Sequence, residues 1–289
     1  MAGFLGTTTS FSIFEAPVPS KLDFEAVRAW AFSDAVTPEG TRLGWVGLGN
    51  AVDTDFSFGI DHGRFAALSL RVDSRKASGA ALKLQLAEAV QEDLAQSGHI
   101  SNERKKELRE AILAKLISKA EWTPALTDCL WDLEKGRLLV AASPKAALPL
   151  LERFTSTFGV DAQPYTPNED LPSFFARLSR ENVSVNGREL SCAGSATLAT
   201  PLHVEGKMAV AVQNNENTIA SALDEGLIIR KLAMIADASL EFSLDTSLTI
   251  SGLKLPKAEK GADADTDFLL KADVCVMVAD LALAIAGLA

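Results

Sequence analysis

Residues 80–122 read AALKLQLAEAVQEDLAQSGHISNERKKELREAILAKLISKAEW, and the period of this stretch decides the fold. Leu82, Leu86, Val90 and Leu94 recur at near-fourfold spacing, the repeat of one helix face. Ser97-Gly98 interrupts the pattern, and Ser101 stands where an N-cap oxygen can accept from a free backbone N–H. The next segment sets Leu108, Ile112, Leu113, Leu116 and Ile117 on one stripe, with Lys105, Lys106, Arg109 and Glu110 off it. Two helices joined by so short a loop fold back on each other. The spacing predicts an antiparallel helical hairpin over 80–122. An ordinary solvated charged face is the plain alternative reading of its surface.

Extended segments flank this arm. Upstream, Phe11–Phe14, Gly44–Val46 and Arg64–Val72 read as strands, with a helix over Asp23–Phe32, so a mixed sheet with a helix packed on it is expected. Downstream, Leu126–Trp131, the turn Glu134-Lys135-Gly136 and Arg137–Ala142 form a β-hairpin, followed by a helix over Pro144–Phe158 that ends at Gly159. Pro164, Pro167 and Pro172 mark the best boundary, and the chain beyond them is β-rich. There Arg188–Val212 alternates polar and apolar residues with interruptions at Gly194 and Pro201, Ile219–Leu223 reads as a short helix, and Gly226–Met234 and Ser239–Leu255 read as strands forming a second sheet. A charged loop over Lys257–Asp267 precedes a buried final helix. The fold class is α+β, in three parts: an N-terminal and central α+β region (1–79 and 123–165), the arm (80–122), and a β-rich C-terminal region (166–289) ending in a helix.

A chain of 289 residues with 47% hydrophobic side chains can bury a substantial core. No apolar run reaches the roughly 18 residues of a membrane span, and Asp280 interrupts the most hydrophobic stretch, Val274–Ala289. The N-terminal MAGFLGTTTSFSIF lacks the basic and apolar regions of a secretory signal, so a cytoplasmic location is expected. Cys129, Cys192 and Cys275 are odd in number and widely spaced, which predicts buried free thiols rather than disulfides or paired metal ligands. The net charge of −10 is unevenly spread. Between Arg71 and Trp122 ten basic residues face eight acidic ones, while the rest of the chain holds 18 basic and 30 acidic residues. A locally basic surface on an acidic protein remains compatible with nucleic acid.

Catalytic chemistry is not evident. There is no G-x-S-x-G elbow and no phosphate-cradling G-x-x-x-x-G-K-[ST] loop. His62, His99 and His203 each sit beside a turn or strand end and read as satisfied surface histidines. Asp53 with Asp55, and the alternating Asp263, Asp265 and Asp267, are the places where carboxylates could gather a divalent cation. If extended, the second run would align three carboxylates on one face, but it lacks the glycine and closing glutamate of a calcium loop, and a solvated acidic loop is the favoured reading. No catalytic residue, metal ligand or cofactor is assigned.

Six segments, in order, resemble the RdgC family of recombination-associated DNA-binding proteins. They are RLGWVGLG at 42–49, RVDSRKASGAALKLQLAEAV at 71–90, ERKKELREAILAKL at 103–116, LWDLEKGRLLVAAS at 130–143, GLIIRKLAM at 226–234 and DFLLKADVCVM at 267–277. The resemblance implies a curved monomer that pairs with a second copy at both ends, closing a ring around duplex DNA. It further implies binding largely independent of base sequence, restraint of the strand-exchange recombinase as a partner, and association with the nucleoid. The arm would be the tip that closes the ring, with Leu116 and Trp122 as dimer contacts, and the C-terminal sheet the opposite contact. Arg71, Arg75, Lys83, Lys105 and Arg109 fall where the family has basic residues, and Lys231 matches the lysine of the G-x-x-x-x-K strand. With Lys76, Lys115, Lys119 and Arg230 they form the expected set of phosphate contacts. The chain departs from the pattern at Met208–Asn215, MAVAVQNN, where family members commonly carry lysines, and near Glu121-Trp122, where a phenylalanine is usual. Two other readings stay open: a dimeric scaffold acting through protein contacts, favoured by the acidic balance, and a metal-dependent exonuclease.

Overall fold

The computed structural model describes residues 3–20, 22–199, 210–212, 216–257, 261 and 263–288. Its chain divides into two compact units: residues 1–31, 45–70 and 127–289 form one, and residues 32–44 and 71–126 the other.

Strand β1 (Thr8–Glu15) buries Phe11, Ile13 and Phe14. The helix expected over Asp23–Phe32 is confined to α1 (Glu25–Ala29). It stops because the chain turns to bridge: the Trp45 N–H donates to the Trp30 carbonyl (2.9 Å), and Ala31 pairs with Trp45. β2 (Arg42–Val46), the two-residue β3 (Asp61–His62) and β4 (Phe65–Arg75) follow, then helices α2 (Gly79–Ser97) and α3 (Asn102–Lys119). β5 (Trp122–Asp132) and β6 (Arg137–Val140) make the expected hairpin. Asp132 shapes its turn by accepting from the N–H groups of Glu134 and Lys135, and Gly136 takes the positive φ (62°) that the turn needs. Helix α4 (Pro144–Phe158) starts with Pro144 and ends at left-handed Gly159, as its sequence indicates.

Beyond lie β7 (Gln163–Pro164), α5 (Leu171–Leu178), β8 (Val183–Val185), β9 (Arg188–Ala199), β10 (Val210–Val212), α6 (Glu216–Asp224), β11 (Ile228–Ala236), β12 (Leu240–Asp245), β13 (Thr249–Lys254) and α7 (Ala264–Ile285). The predicted strand Ser239–Leu255 is two strands, because Asp245 folds a turn by accepting from the N–H groups of Ser247 and Thr249. The expected second sheet is corrected as well. The 13 described strands belong to one sheet, ordered β10-β9-β11-β12-β13-β1-β6-β5-β4-β2, with β3 paired to β4, β7 to β1 and β8 to β9 off this path. The first strand is the reason, since it pairs antiparallel with both β13 and β6 and joins the two ends of the chain. The fold is α+β, with seven helices among the described residues.

Helix α7 lies in the core of the first unit and buries Phe268, Ala272, Cys275, Val278, Ala279 and Ala282 among others. The run read as an acidic loop is its first turn. Asp263 is the N-cap, accepting from the Thr266 N–H at 2.7 Å, and Asp265 and Asp267 sit within the helix. Carboxylates belong there, against the positive end of the helix dipole. No helix among the described residues is long and apolar enough to cross a membrane.

Candidate nucleic-acid interface

The second unit contains the arm. Ser78 caps α2 by accepting from Ala81 N–H, Gly98 closes it in the left-handed conformation, and Ser101 caps α3 by accepting from Arg104 N–H. Ser101 thus does what the sequence assigns it. Neither helix has a fully buried residue; Leu84 is 62% exposed, Leu94 41% and Ile117 37%. The apolar stripe of α3 is only half covered, with Leu108, Ile112, Leu113 and Leu116 in intermediate positions.

Charge on the arm is sorted by pairing. Arg104 bridges Asp93 (3.2 Å) and Glu107 (3.1 Å), and Lys106 lies 3.9 Å from Glu110. Lys76, Lys83, Lys105, Arg109, Lys115 and Lys119 are all exposed, and none forms a salt bridge among the described residues. In α3 the positions 105, 109, 112, 116 and 119 follow one stripe, spaced alternately by four and three, while Glu103, Glu107 and Glu110 follow another. One helix therefore carries a cationic stripe broken by Ile112 and Leu116, and a separate acidic one.

Arg71 and Arg75 are different. Residues 71, 73 and 75 lie on one face of β4, because side chains alternate along a strand. Asp73 is buried, and Arg71 takes both of its carboxylate oxygens, Nε to Oδ1 at 2.8 Å and Nη2 to Oδ2 at 2.7 Å. That pairing raises the Arg71 pKa above its ordinary value, and the guanidinium also lies over the Phe32 ring at 3.9 Å. Arg75 forms no salt bridge among the described residues. It sits 4.2 Å above the Trp122 ring, where Arg42 also stacks at 4.3 Å, and donates to the Ser118 carbonyl at 3.4 Å. Trp122, expected at a dimer contact, is half-buried under these two guanidinium groups. Arg42 is a residue that the sequence does not single out. It opens the RLGWVGLG segment, but nothing in a linear reading brings position 42 to positions 75 and 122.

Arg230 and Lys231 belong to the first unit. The register of β11 against β9 shifts between Ile229 and Lys231, and buried positions change from Ile229 to Leu232, Met234 and Ala236. An extra residue in a strand resets its alternation. The bulge is what keeps two adjacent cations off the core face, both half-buried. His203 and most of Met208–Asn215 lie outside the described residues.

The remaining candidates for chemistry are structural. His62 is not a surface histidine: its side chain is 3% exposed, packed between Phe58 and Phe268, with Nδ1 2.7 Å from Asp265. Asp53 is buried and holds a loop by accepting from Ser57 N–H and hydroxyl, while Asp55 is exposed. Asp267 pairs with Lys271 at 2.6 Å. Among the described residues no His, Cys, Asp and Glu group is arranged to hold a metal ion. Burial pushes the Cys129 and Cys275 thiols far up, so both remain protonated at neutral pH; Cys192, expected buried, is half-exposed.

No curated protein matches the chain. Residues 12–289 match the model of the family described as "Putative exonuclease, RdgC", and at that coverage the chain belongs to the RdgC family.

Proposed function

We propose that this protein binds duplex DNA without regard to base sequence, as a homodimer closed into a ring, and so restrains the strand-exchange recombinase. Family membership supports a recombination-associated DNA-binding role at the level of the family. The observation that carries the reading for this chain is the set of six exposed cations on and beside the arm, none held in a salt bridge among the described residues, in a protein of net charge −10. Unpaired lysine and arginine can release phosphate counterions, whereas paired ones have less to offer. Arg230 and Lys231 add two partly exposed cations in the first unit. The exposed Leu84, Leu94 and Ile117 support a second copy covering the arm, with Leu116 beside them as a contact.

Titration into labelled random-sequence duplex at low and moderate salt tests this, with Lys105→Ala/Arg109→Ala in parallel. The expected result is binding at low salt that weakens steeply with added salt, and a weaker double variant. Absence of binding at low salt would overturn it and leave the scaffold reading, in which the arm meets protein. Adding magnesium or manganese to the same samples and looking for shortened strands tests the exonuclease reading.

A further inference from the structure

We propose that Arg75, stacked with Arg42 on the indole of Trp122, is a pre-formed seat for a phosphate group, and that Trp122 is the residue that positions it. Three strands contribute: β2 supplies Arg42, β4 supplies Arg75 and β5 supplies Trp122. The neighbouring acids are largely engaged. Asp73, the carboxylate on the same face of β4, is taken bidentately by Arg71, and Asp34 pairs with Arg42 at 2.6 Å. Among the described residues Arg75 has one neutral acceptor, the Ser118 carbonyl, and the Nε atoms of both Arg42 and Arg75 are buried without a hydrogen-bond partner. Two guanidinium groups gathered on one ring carry more positive charge than their single carboxylate balances, and the planar fork of arginine matches a phosphate. The ring makes the gathering possible. A cation over an aromatic face is attracted by its quadrupole, and a guanidinium fixed by stacking loses less freedom when it binds.

For its natural ligand this inference rests on the duplex-binding reading, and it changes that reading in one respect. Arg75, which the sequence pattern presents as one of many phosphate contacts, becomes the fixed one, whereas Arg71 is already held by Asp73. The lysines on the arm would add mobile charge around a rigid anchor.

Two measurements test it. First, duplex affinity is followed against salt for the natural protein, Arg75→Ala, Trp122→Leu and Trp122→Phe. Arg75→Ala and Trp122→Leu should each lower the slope of log K against log salt by about one and weaken binding roughly tenfold. Trp122→Phe, which keeps a ring, should retain most of the affinity. Second, inorganic tripolyphosphate is titrated while tryptophan emission is recorded. The signal should change in the natural protein and be lost in Arg75→Ala and in Trp122→Phe, the latter because the reporter is removed. If the duplex binds but Arg75→Ala leaves the slope unchanged, the seat is overturned and the duplex reading stands. If no duplex binds but tripolyphosphate alters emission in an Arg75-dependent way, the seat stands and the duplex reading falls. Silence in both assays overturns both.

Discussion

Asp128 is a buried carboxyl in the first unit that no reading of the sequence singles out. Ser69 Oγ donates to it at 2.5 Å while accepting from Gly49 N–H, and the Phe4 N–H also donates to the carboxylate. Burial nevertheless dominates and raises its pKa above the ordinary carboxylate value. A raised folded-state value means that protonation favours the native state. The contribution is full below the unfolded value, about 3.9, and is lost as pH rises through the folded one. Asp128→Asn removes this titration. Urea midpoints measured from pH 4 to 7 should therefore decline with pH more steeply in the natural protein than in the variant; parallel curves would show that Asp128 does not titrate there. Gly3 belongs to the same construction, since a Cβ there would overlap Asp128 Oδ2. Gly3→Ala must displace the carboxylate or the segment, and a loss of roughly 1–3 kcal/mol on urea unfolding is expected from the disturbed hydrogen bonds. Such residues stay hidden in a sequence because burial of an acid depends on what comes over it from positions 4, 49 and 69. His62 shows the same blindness: its position beside a turn is correctly legible, but Phe58 from that turn and Phe268 from α7 close over it.

Helix α7 shows what an element reveals and conceals. Its apolar run marks it as a buried helix, but the preceding ADADTD reads as a loop because alternating acids resemble a solvated stretch. Capping explains the difference: Asp263 accepts from Thr266 N–H, which lowers its pKa, and the acids that follow meet the helix dipole and their own partners. The helix is then tied down along its length. Lys271, 8% exposed, donates to Asp267 and to the Leu5 carbonyl at 2.9 Å. Asp273 meets Arg64 at 3.5 Å, and Asp280 binds Lys135 and Arg137 of the β5–β6 hairpin. Arg64 also lies 3.5 Å from Asp132 and 3.8 Å from Glu134, so it links the family segments at 130–143 and 267–277 through Asp273. Lys271→Met keeps the stem but removes the donor to the Leu5 carbonyl and the ion pair to Asp267. A loss of roughly 1–3 kcal/mol in urea unfolding is expected, and an unchanged midpoint would mean that water replaces the ammonium group. The arm is the most legible element of all, because its helices are long, periodic and capped locally; the one-sheet connection is not, because it depends on β1 pairing with strands at opposite ends of the chain.

At the scale of the molecule, charge sets the limits on binding. Acids outnumber bases 30 to 18 outside residues 71–122, so a polyanion is repelled by most of the chain and attracted by a small part of it. Composition makes this contrast visible, but not which cations are available, since Arg71 and Arg104 count as basic until their carboxylate partners are seen. Four of the cations without a salt bridge, Lys105, Arg109, Lys115 and Lys119, lie on the single helix α3 and can be neutralised together while its ion pairs stay in place. Changing all four to Gln should reduce the slope of log K against log salt by up to roughly 3.6, about 0.9 for each phosphate that is no longer neutralised. Because glutamine is a good helix former, the hairpin should persist, and if a second copy meets the arm through its apolar residues, the mass in sedimentation equilibrium should not change. Loss of the salt slope with retention of the dimer separates the two properties. An unchanged slope would mean that the arm faces something other than DNA, and simultaneous loss of dimer and binding would make these cations part of the contact between copies.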